Sequence, residues 1–286
     1  MRIGVHVSIA GHIYQSIERA RVLGCNTMQI FSRDPRQWRK GRLNLQEIEE
    51  FKKSRSRCNI APVFAHIPYL SNLASPLPVL YKNSIKAYIE DMKEAEALGI
   101  EYLVTHMGSH KKTGEEKGIK RFTSAINNIL ERTKKSPVHI LLENTSGAGS
   151  WLGYKFEHQR RIIDGIEQKH RVGICLDTCH SYSAGYDLAD KEGYEETIRQ
   201  IDKIVGLKRL KLIHLNDSKD KIGSHRDRHE HIGKGKIGYE AFRLILNDAR
   251  LKDTAFILET PKDTEDSDRI NLETVRKLRR VGKGII

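Results

Sequence analysis

Short apolar runs recur along this chain at a nearly constant interval, and a polar residue closes most of them. Runs such as 140–142 and 256–258 are continuously apolar rather than alternating, which is typical of parallel strands buried on both faces. The closing residues stand 35, 40, 37, 34, 37 and 45 positions apart; they are Phe31, His66, His106, Glu143, Asp177, His214 and Glu259. Such intervals fit one strand, one helix and two connections per unit.

Helical patterns fill the segments between these runs. Ile85, Ile89 and Met92 recur at helical spacing before Gly99, which is a typical residue for ending a helix. With residues 3–8 as the first strand, the units number eight, the size of a closed TIM (β/α)8 barrel whose site lies at the C-terminal strand ends. A doubly wound open sheet is the alternative, but it would gather ligands mainly at one switch point. We therefore predict an α/β TIM barrel.

The chain shows no linker rich in Pro, Gly or Ser and no shift in composition, so we expect residues 1–286 to form one domain. No apolar stretch approaches the roughly 20 residues of a membrane span, and no export signal is visible. The four cysteines show no CxxC spacing, which favours reduced thiols in a cytoplasmic protein. We interpret Cys175 and Cys179 as packing residues rather than ligands.

Positive charge points to a polyanionic partner. The 50 Lys and Arg exceed the 37 Asp and Glu, leaving a net charge of +13. Residues 33–57 hold nine basic and four acidic side chains, and residues 219–236 hold six and three. Both segments follow strand ends. The basic segment 269–286 fits a solvated helix face better, whereas the aromatic, arginine and proline residues of 33–38 favour a nucleic-acid contact.

Nine residues are candidate metal ligands. A single His or Asp at a strand end is usually only a hydrogen-bonding residue, but nine together favour a metal site. Asp227 and His229 are two positions apart and would face the same side of an extended segment. The nine are His66, His106, Glu143, Asp177, His180, His214, Asp227, His229 and Glu259. Imidazoles with carboxylates favour zinc or a comparable transition metal over magnesium.

The ligand count also suggests the chemistry. Nine ligands suit two or three ions with one bridging carboxylate, because each ion needs about three protein ligands and one open position. Three divalent ions, four carboxylates and a hydroxide leave the site near +1. Such a centre matches a phosphodiester that gains negative charge during attack, so hydrolysis of a phosphodiester is the leading hypothesis.

A set of short motifs follows the strand ends in order along nearly the full length of the chain. The motifs are Gly4-Val5-His6-Val7-Ser8, Phe31-Ser32 through Trp38, His66-Ile67-Pro68-Tyr69-Leu70-Ser71-Asn72, His106-Met107-Gly108-Ser109-His110, Leu142-Glu143-Asn144-Thr145, Asp177-Thr178-Cys179-His180-Ser181, His214-Leu215-Asn216-Asp217, Asp227-Arg228-His229 and Leu258-Glu259-Thr260. Each motif alone is weak, but the ordered set is specific. It resembles the endonuclease IV family of zinc-dependent apurinic/apyrimidinic endonucleases.

This resemblance implies three zinc ions and assigns each ligand to an ion. His66, His106 and a bridging Glu143 would hold the first ion. The second would be held by Glu143, Asp177, His214 and Glu259, and the third by His180, Asp227 and His229. A hydroxide between the first two ions would attack phosphorus, with Glu143 and Glu259 as catalytic carboxylates. The family cuts duplex DNA 5′ to an abasic sugar, leaves a 3′-hydroxyl and a 5′-deoxyribose phosphate, and removes 3′ blocking groups.

Detection of a missing base is assigned by the resemblance to two loops. Arg36, Tyr69 and Leu70 would enter the minor groove and fill the gap in the stack, with Gln37 and Trp38 contacting DNA beside Arg36. A nucleotide without a base pair is also easier to flip into a pocket. Tyr69 and Leu70 could instead be packing residues. Further candidates for partners of the ligands or of phosphate are His6, His110 and His231.

Three positions depart from the family pattern, and two other functions stay open. Asp34 replaces the usual Asn and adds negative charge to a DNA-contacting loop; Met107 stands where Pro is frequent, and His12 where Gly is typical. None is a proposed ligand. The alternatives are a metal-dependent sugar isomerase-like TIM barrel and a DNA-binding protein with structural metals. The second is weaker because structural zinc sites are usually rich in Cys. We expect a monomer.

Arg36→Ala is predicted to weaken binding to a duplex with one abasic site more than it changes the bound metal, because Arg36 is assigned to the lesion and not to the ions. Binding titrations and metal analysis of parent and variant measure both quantities. Equal affinity for abasic and intact duplexes in parent and variant alike would contradict the wedge role.

Overall fold

The computed structural model describes residues 1–34, 38 and 43–281, and eight strands among them form one parallel sheet. Two further strands, β8 and β9, pair antiparallel beyond the C-terminal end of the sheet. The bounds are β1 Arg2–Val5, β2 Met28–Phe31, β3 Val63–His66, β4 Tyr102–His106, β5 His139–Glu143, β6 Val172–Asp177, β7 Leu210–His214, β8 Asp217–Ser218, β9 His229–Glu230 and β10 Ala255–Leu258.

The sheet closes into a barrel. Its strand order is β1-β10-β7-β6-β5-β4-β3-β2, so β1 and β2 are its two edges. His6 forms a parallel bridge with Gln29, and the Val7 backbone N–H donates to the Gln29 carbonyl at 2.8 Å. This contact joins the two edges just beyond β1. The predicted TIM barrel is confirmed.

Helices follow the strands and cover the outside of the barrel. Their bounds are α1 Gln15–Val22, α2 Leu45–Cys58, α3 Pro78–Leu98, α4 Glu115–Arg132, α5 Phe156–Asp164, α6 Thr178–Ala184, α7 Lys191–Ile204, α8 Gly238–Asn247 and α9 Ser267–Val281. Helix α3 begins at Pro78, whose fixed φ suits a first turn, and ends at Gly99 with φ 72°. This ending confirms the role predicted for Gly99.

Two separate apolar clusters stabilise the barrel. The larger lies between strands and helices and includes Phe122, Ile126 and Ile129 of α4. The smaller fills the barrel interior. Its members are Phe64, Val104, Leu141, Cys175, Leu212, Ala255 and Ile257. Six of them precede a predicted ligand by two positions, and side chains two apart on a strand face the same side.

Some details differ from the sequence predictions. The first strand ends at Val5, and residues 6–8 continue beyond it with only the bridge of His6. The β8–β9 pair was not foreseen, because two-residue strands carry no detectable period. Arg36 and Gln37 lie outside the described residues. Within the described part of the chain, no helix combines the length and apolar character that crossing a membrane requires.

Candidate metal centre

Six of the nine predicted ligands meet at the C-terminal end of the barrel. His66, His106, Glu143, Asp177 and His214 are the last residues of their strands, and Glu259 directly follows β10. Because each stands two positions beyond an interior side chain, all six project into the barrel axis. The side chains of Asp177 and His214 are fully buried, and that of Glu143 is 1% exposed.

Glu143 is the central residue of this group. Its Oε2 accepts a hydrogen bond from His66 Nε2 at 2.8 Å, and its Oε1 accepts one from His214 Nδ1 at 2.9 Å. His106 Nδ1 lies 3.7 Å from Oε2, and His180 Nδ1 lies 3.5 Å from Oε1. One carboxylate therefore faces four imidazoles, and its two oxygens face different subsets of them. This is the arrangement that a bridging ligand requires.

The other three predicted ligands form a second group beside the first. Asp227 Oδ1 lies 3.1 Å from His180 Nε2 and 3.3 Å from His229 Nε2. His180 reaches this position because Asp177 caps α6, its side chain accepting from the His180 backbone N–H at 2.8 Å. His229 belongs to β9, so the β8–β9 pair positions the His229 side chain in this group.

The donor atoms form three sets within 4.8 Å of one another that coincide with the predicted assignment. They are His66, His106 and Glu143; then Glu143, Asp177, His214 and Glu259; and then His180, Asp227 and His229. Two other sets include Cys175 or Cys179. Burial raises the pKa of both thiols to about 12, so they stay protonated at neutral pH and are poorer ligands than the neighbouring carboxylates.

The spacing of unpaired donors fits metal ions better than hydrogen bonds. His106 Nδ1 and His229 Nε2 are buried and have no hydrogen-bond partner among the described residues. Each lies close to a carboxylate oxygen of its own donor set: His106 Nδ1 is 3.7 Å from Glu143, and His229 Nε2 is 3.3 Å from Asp227. Zinc bonds of 2.0–2.1 Å in tetrahedral geometry separate two ligand atoms by roughly 3.4 Å. Each of these histidine–carboxylate pairs therefore has a spacing that fits two ligands of one ion.

The electrostatics keep the carboxylates ionised. Burial alone would raise the pKa of Glu143, but His106 and His214 outweigh it and hold that pKa well below its usual range. Burial alone would lower the pKa of His229, but Asp177 and Asp227 outweigh it and raise that pKa to about 9. Burial dominates at His106 and lowers its pKa to about 4. The carboxylates thus attract positive charge, whether proton or metal, into the centre.

Several residues that orient the ligands were missed by the sequence analysis. Gln29 is fully buried; its Nε2 donates to Glu259 Oε1 at 2.6 Å, and its Oε1 accepts from His214 Nε2 at 2.8 Å. Asn216 donates to Asp177 Oδ2 at 2.7 Å and accepts from the Glu259 backbone N–H at 2.8 Å. The available signal was a polar residue within an otherwise apolar run, as Gln29 is in 28–31.

The three histidines predicted as partners have different surroundings. His6 Nδ1 donates to Glu259 Oε1 at 2.9 Å, so it adjoins a predicted ligand. His110 Nδ1 instead accepts from the Gly114 backbone N–H at 3.1 Å. His231 Nε2 lies 3.1 Å from Asp263, and its Nδ1 accepts from Asn271. His6 is brought to the centre, whereas the bonds of His110 and His231 go to neighbouring loops and to α9.

Of the residues predicted to contact DNA, Tyr69 lies at the mouth of the barrel beside a predicted ligand. Tyr69 is 63% exposed, and its ring centroid lies 6.3 Å from that of His106, while Leu70 is partly buried. Trp38 is also exposed. A cavity of about 490 Å³ opens beside the centre and is lined by His6, Val7, Ser8, Ile9, Ala10, Phe31, Asp34 and Lys262.

The three departures from the family pattern leave the ligands in place. His12 is exposed and contacts Glu47 at 3.0 Å, and Asp34 lines the cavity. Met107 is fully buried, and its terminal methyl occupies the space that a Cβ on Gly153 would need. Glycine at 153 therefore accommodates the longer side chain at 107.

The fold and these donor sets define a TIM barrel with a buried centre suited to binding metal. Comparisons with known proteins agree. A family model described as a xylose isomerase-like TIM barrel matches residues 17–281. The probable endonuclease 4 of Chloroflexus aurantiacus is 44% identical over 97% of this chain and 98% of its own length. The crystal structure of endonuclease IV from Thermus thermophilus is similar over 99% of this chain and 100% of that chain, with a TM-score of 0.87 and 35% identity.

The chain belongs to the endonuclease IV family, as its motifs indicated. The protein is accordingly a nuclease, an enzyme of the hydrolase class. A D-tagatose 3-epimerase-like protein is also similar, with a TM-score of 0.74 over 99% of this chain and 100% of that one. Its identity is only 19%, so this likeness shows the fold alone.

Gln29→Met is predicted to weaken metal binding by roughly 10-fold to 100-fold, because it removes the hydrogen bonds to Glu259 and His214 while keeping similar volume. Competition with a chelator measures the affinity, and the thermal midpoint reports the fold. Met28→Leu is the matched control, since Met28 is an equally buried neighbour in β2. Equal metal affinity in both variants would show that Gln29 only fills space.

Proposed function

We propose that the protein is a DNA repair endonuclease that hydrolyses the phosphodiester 5′ to an abasic site in duplex DNA, using three zinc ions. The carrying observation is the division of nine donors into three sets, two of which share Glu143. The net charge of +13 and the family membership support a DNA substrate. We further propose that residues 1–286 act as one domain and as a monomer.

The chain's residues prepare the site for an anionic substrate. When bound, zinc supplies positive charge for the phosphoryl oxygens and lowers the pKa of a water molecule so that it can act as the nucleophile. Glu143 presents its two oxygens to two donor sets. Glu259 is held by His6 and Gln29, and although burial opposes it, His214 and His6 keep its pKa below the usual range. Both carboxylates are thus ionised and fixed in direction, as catalytic carboxylates need to be.

Lesion recognition is proposed for the loops around the barrel mouth. Exposed Tyr69 lies beside His106, which brings a planar side chain next to the reacting centre. A tyrosine hydroxyl, whose pKa is ordinarily about 10, is neutral at physiological pH, so this planar side chain is suited to replace a missing stacked base. Leu70, Trp38, Arg36 and Gln37 would complete the contact. The same centre would remove blocking groups from 3′ ends, because that reaction cleaves the same kind of ester.

A duplex with a single abasic site tests the proposal directly. We expect incision on its 5′ side, a 3′-hydroxyl and a 5′-deoxyribose phosphate at the new ends, and three zinc ions per chain by metal analysis. End-labelled strands resolve the products, and an intact duplex is the substrate control. Tight binding without incision under zinc-replete conditions would favour a DNA-binding protein with structural metals instead.

Glu143→Gln is predicted to reduce incision by more than about 100-fold. Losing a residue that only hydrogen-bonds to a metal ligand costs up to about 100-fold, and losing a ligand itself should cost more. The amide can no longer bridge two ions as an anion. Glu230→Gln is the control. It makes the same glutamate-to-glutamine change next to His229, at a residue that belongs to none of the donor sets. Circular dichroism checks the fold. Near-parental turnover of Glu143→Gln would refute the bridging role.

A further inference from the structure

Two consecutive lysines between β4 and α4 adopt a strained backbone conformation. Lys111 has φ 47° and Lys112 has φ 66°, and both side chains are exposed. Residues with a long side chain rarely occupy this region, and holding them there costs free energy. The other two non-glycine residues of this kind in the described chain have local explanations. Asn59 ends α2 in the left-handed conformation, and His225 donates from Nδ1 to the Ser146 carbonyl.

The strain is maintained by the neighbours of these lysines and not by their side chains. The Lys111 backbone N–H donates to Ser109 Oγ at 3.3 Å, and the Thr113 N–H donates to the His110 carbonyl at 3.0 Å. Within the described residues, neither ammonium group forms an ion pair or a hydrogen bond. Glycine would adopt the same positive φ angles at a lower cost in free energy. The fold therefore has no visible need for lysine at either position.

The position of this loop relates it to the DNA-contacting loops. Strands β2, β3 and β4 are neighbours in the barrel, so the loops that follow them are consecutive around its C-terminal rim. The first two carry Trp38 and Tyr69. The third is fixed to the next loop by a bridge between Ser109 and Trp151, and the Trp151 ring lies 6.0 Å from His106. The strained lysines thus follow Tyr69 around the mouth.

We propose that Lys111 and Lys112 bind backbone phosphates of the duplex and extend the contact surface to a third loop. The proposal rests on the DNA substrate proposed above. Lysine binds phosphate as a point charge, and phosphate contacts position a duplex without reading its sequence. Strain retained at two exposed cations that pair with no described residue, in the loop next to the Tyr69 loop, is the observation that supports this role.

The test compares the zinc-loaded parent with Lys111→Gly/Lys112→Gly. Affinity for an intact duplex is measured over a series of salt concentrations, and the thermal midpoint is measured in the same buffer. We expect the slope of log affinity against log salt to fall in magnitude by about 2, because each lost phosphate contact removes about 0.9. The thermal midpoint should equal or exceed the parent's, since glycine relieves the strain.

Two further variants make the result specific. Lys111→Arg/Lys112→Arg keeps both charges and should keep the parental slope. Lys117→Ala/Lys120→Ala removes two exposed lysines from neighbouring α4 and should change the slope less. An unchanged slope in the glycine variant, an equal loss in the α4 variant, or a lowered thermal midpoint would overturn the proposal. A parent that binds but fails to incise abasic DNA would overturn the proposed function instead, and one that does not bind DNA would overturn both.

Discussion

The alternation of side chains along parallel strands is the constraint on which this centre depends. Leu141 faces the barrel interior, so Glu143 two positions later must face it as well, and the same holds for Val104 with His106. The six inward residues of the last layer stand at the ends of six different strands. A shift of one residue in any strand would turn its ligand outward into the helical layer. The apolar packing below therefore determines the positions of the polar groups above.

Because that packing buries the polar groups, it also requires their charges to be paired. Ionised groups inside a protein are costly unless they are paired, and removing one partner leaves an uncompensated charge. Here the carboxylates are paired with imidazoles: Glu143 faces four of them, and Asp227 faces His180 and His229. Imidazole can be neutral as a metal ligand or positive when protonated. The same donors can therefore balance the carboxylates in either condition.

The sequence was sufficient to predict the barrel, because its strands and helices follow a local pattern, and the nine residues predicted as ligands do lie close together in the structure. Strand ends and their ligands share one period, which a single chain displays directly. The orienting residues were harder to find. Gln29 looks like a minor interruption of an apolar run, and its value depends on Glu259 and His214, which are distant along the chain. Likewise, nothing local separates His6, which reaches Glu259, from His231, which contacts Asp263.

Asp217 shows the same difficulty, and it explains how the third donor set is held. It follows His214 closely and has the chemistry of a ligand, yet its carboxylate accepts backbone N–H groups of Ser218 at 2.7 Å, Gly235 at 3.0 Å and Ile237 at 2.9 Å. These bonds join the two ends of the loop that carries Asp227 and the β8–β9 pair. The first two donor sets are thus fixed by strands, and the third depends largely on a loop. Because the Asp227 side chain is 52% exposed while that of Glu143 is 1% exposed, the loop-borne set is also the one that meets solvent. A substrate entering from the barrel mouth therefore meets first the part of the centre whose position depends least on the barrel.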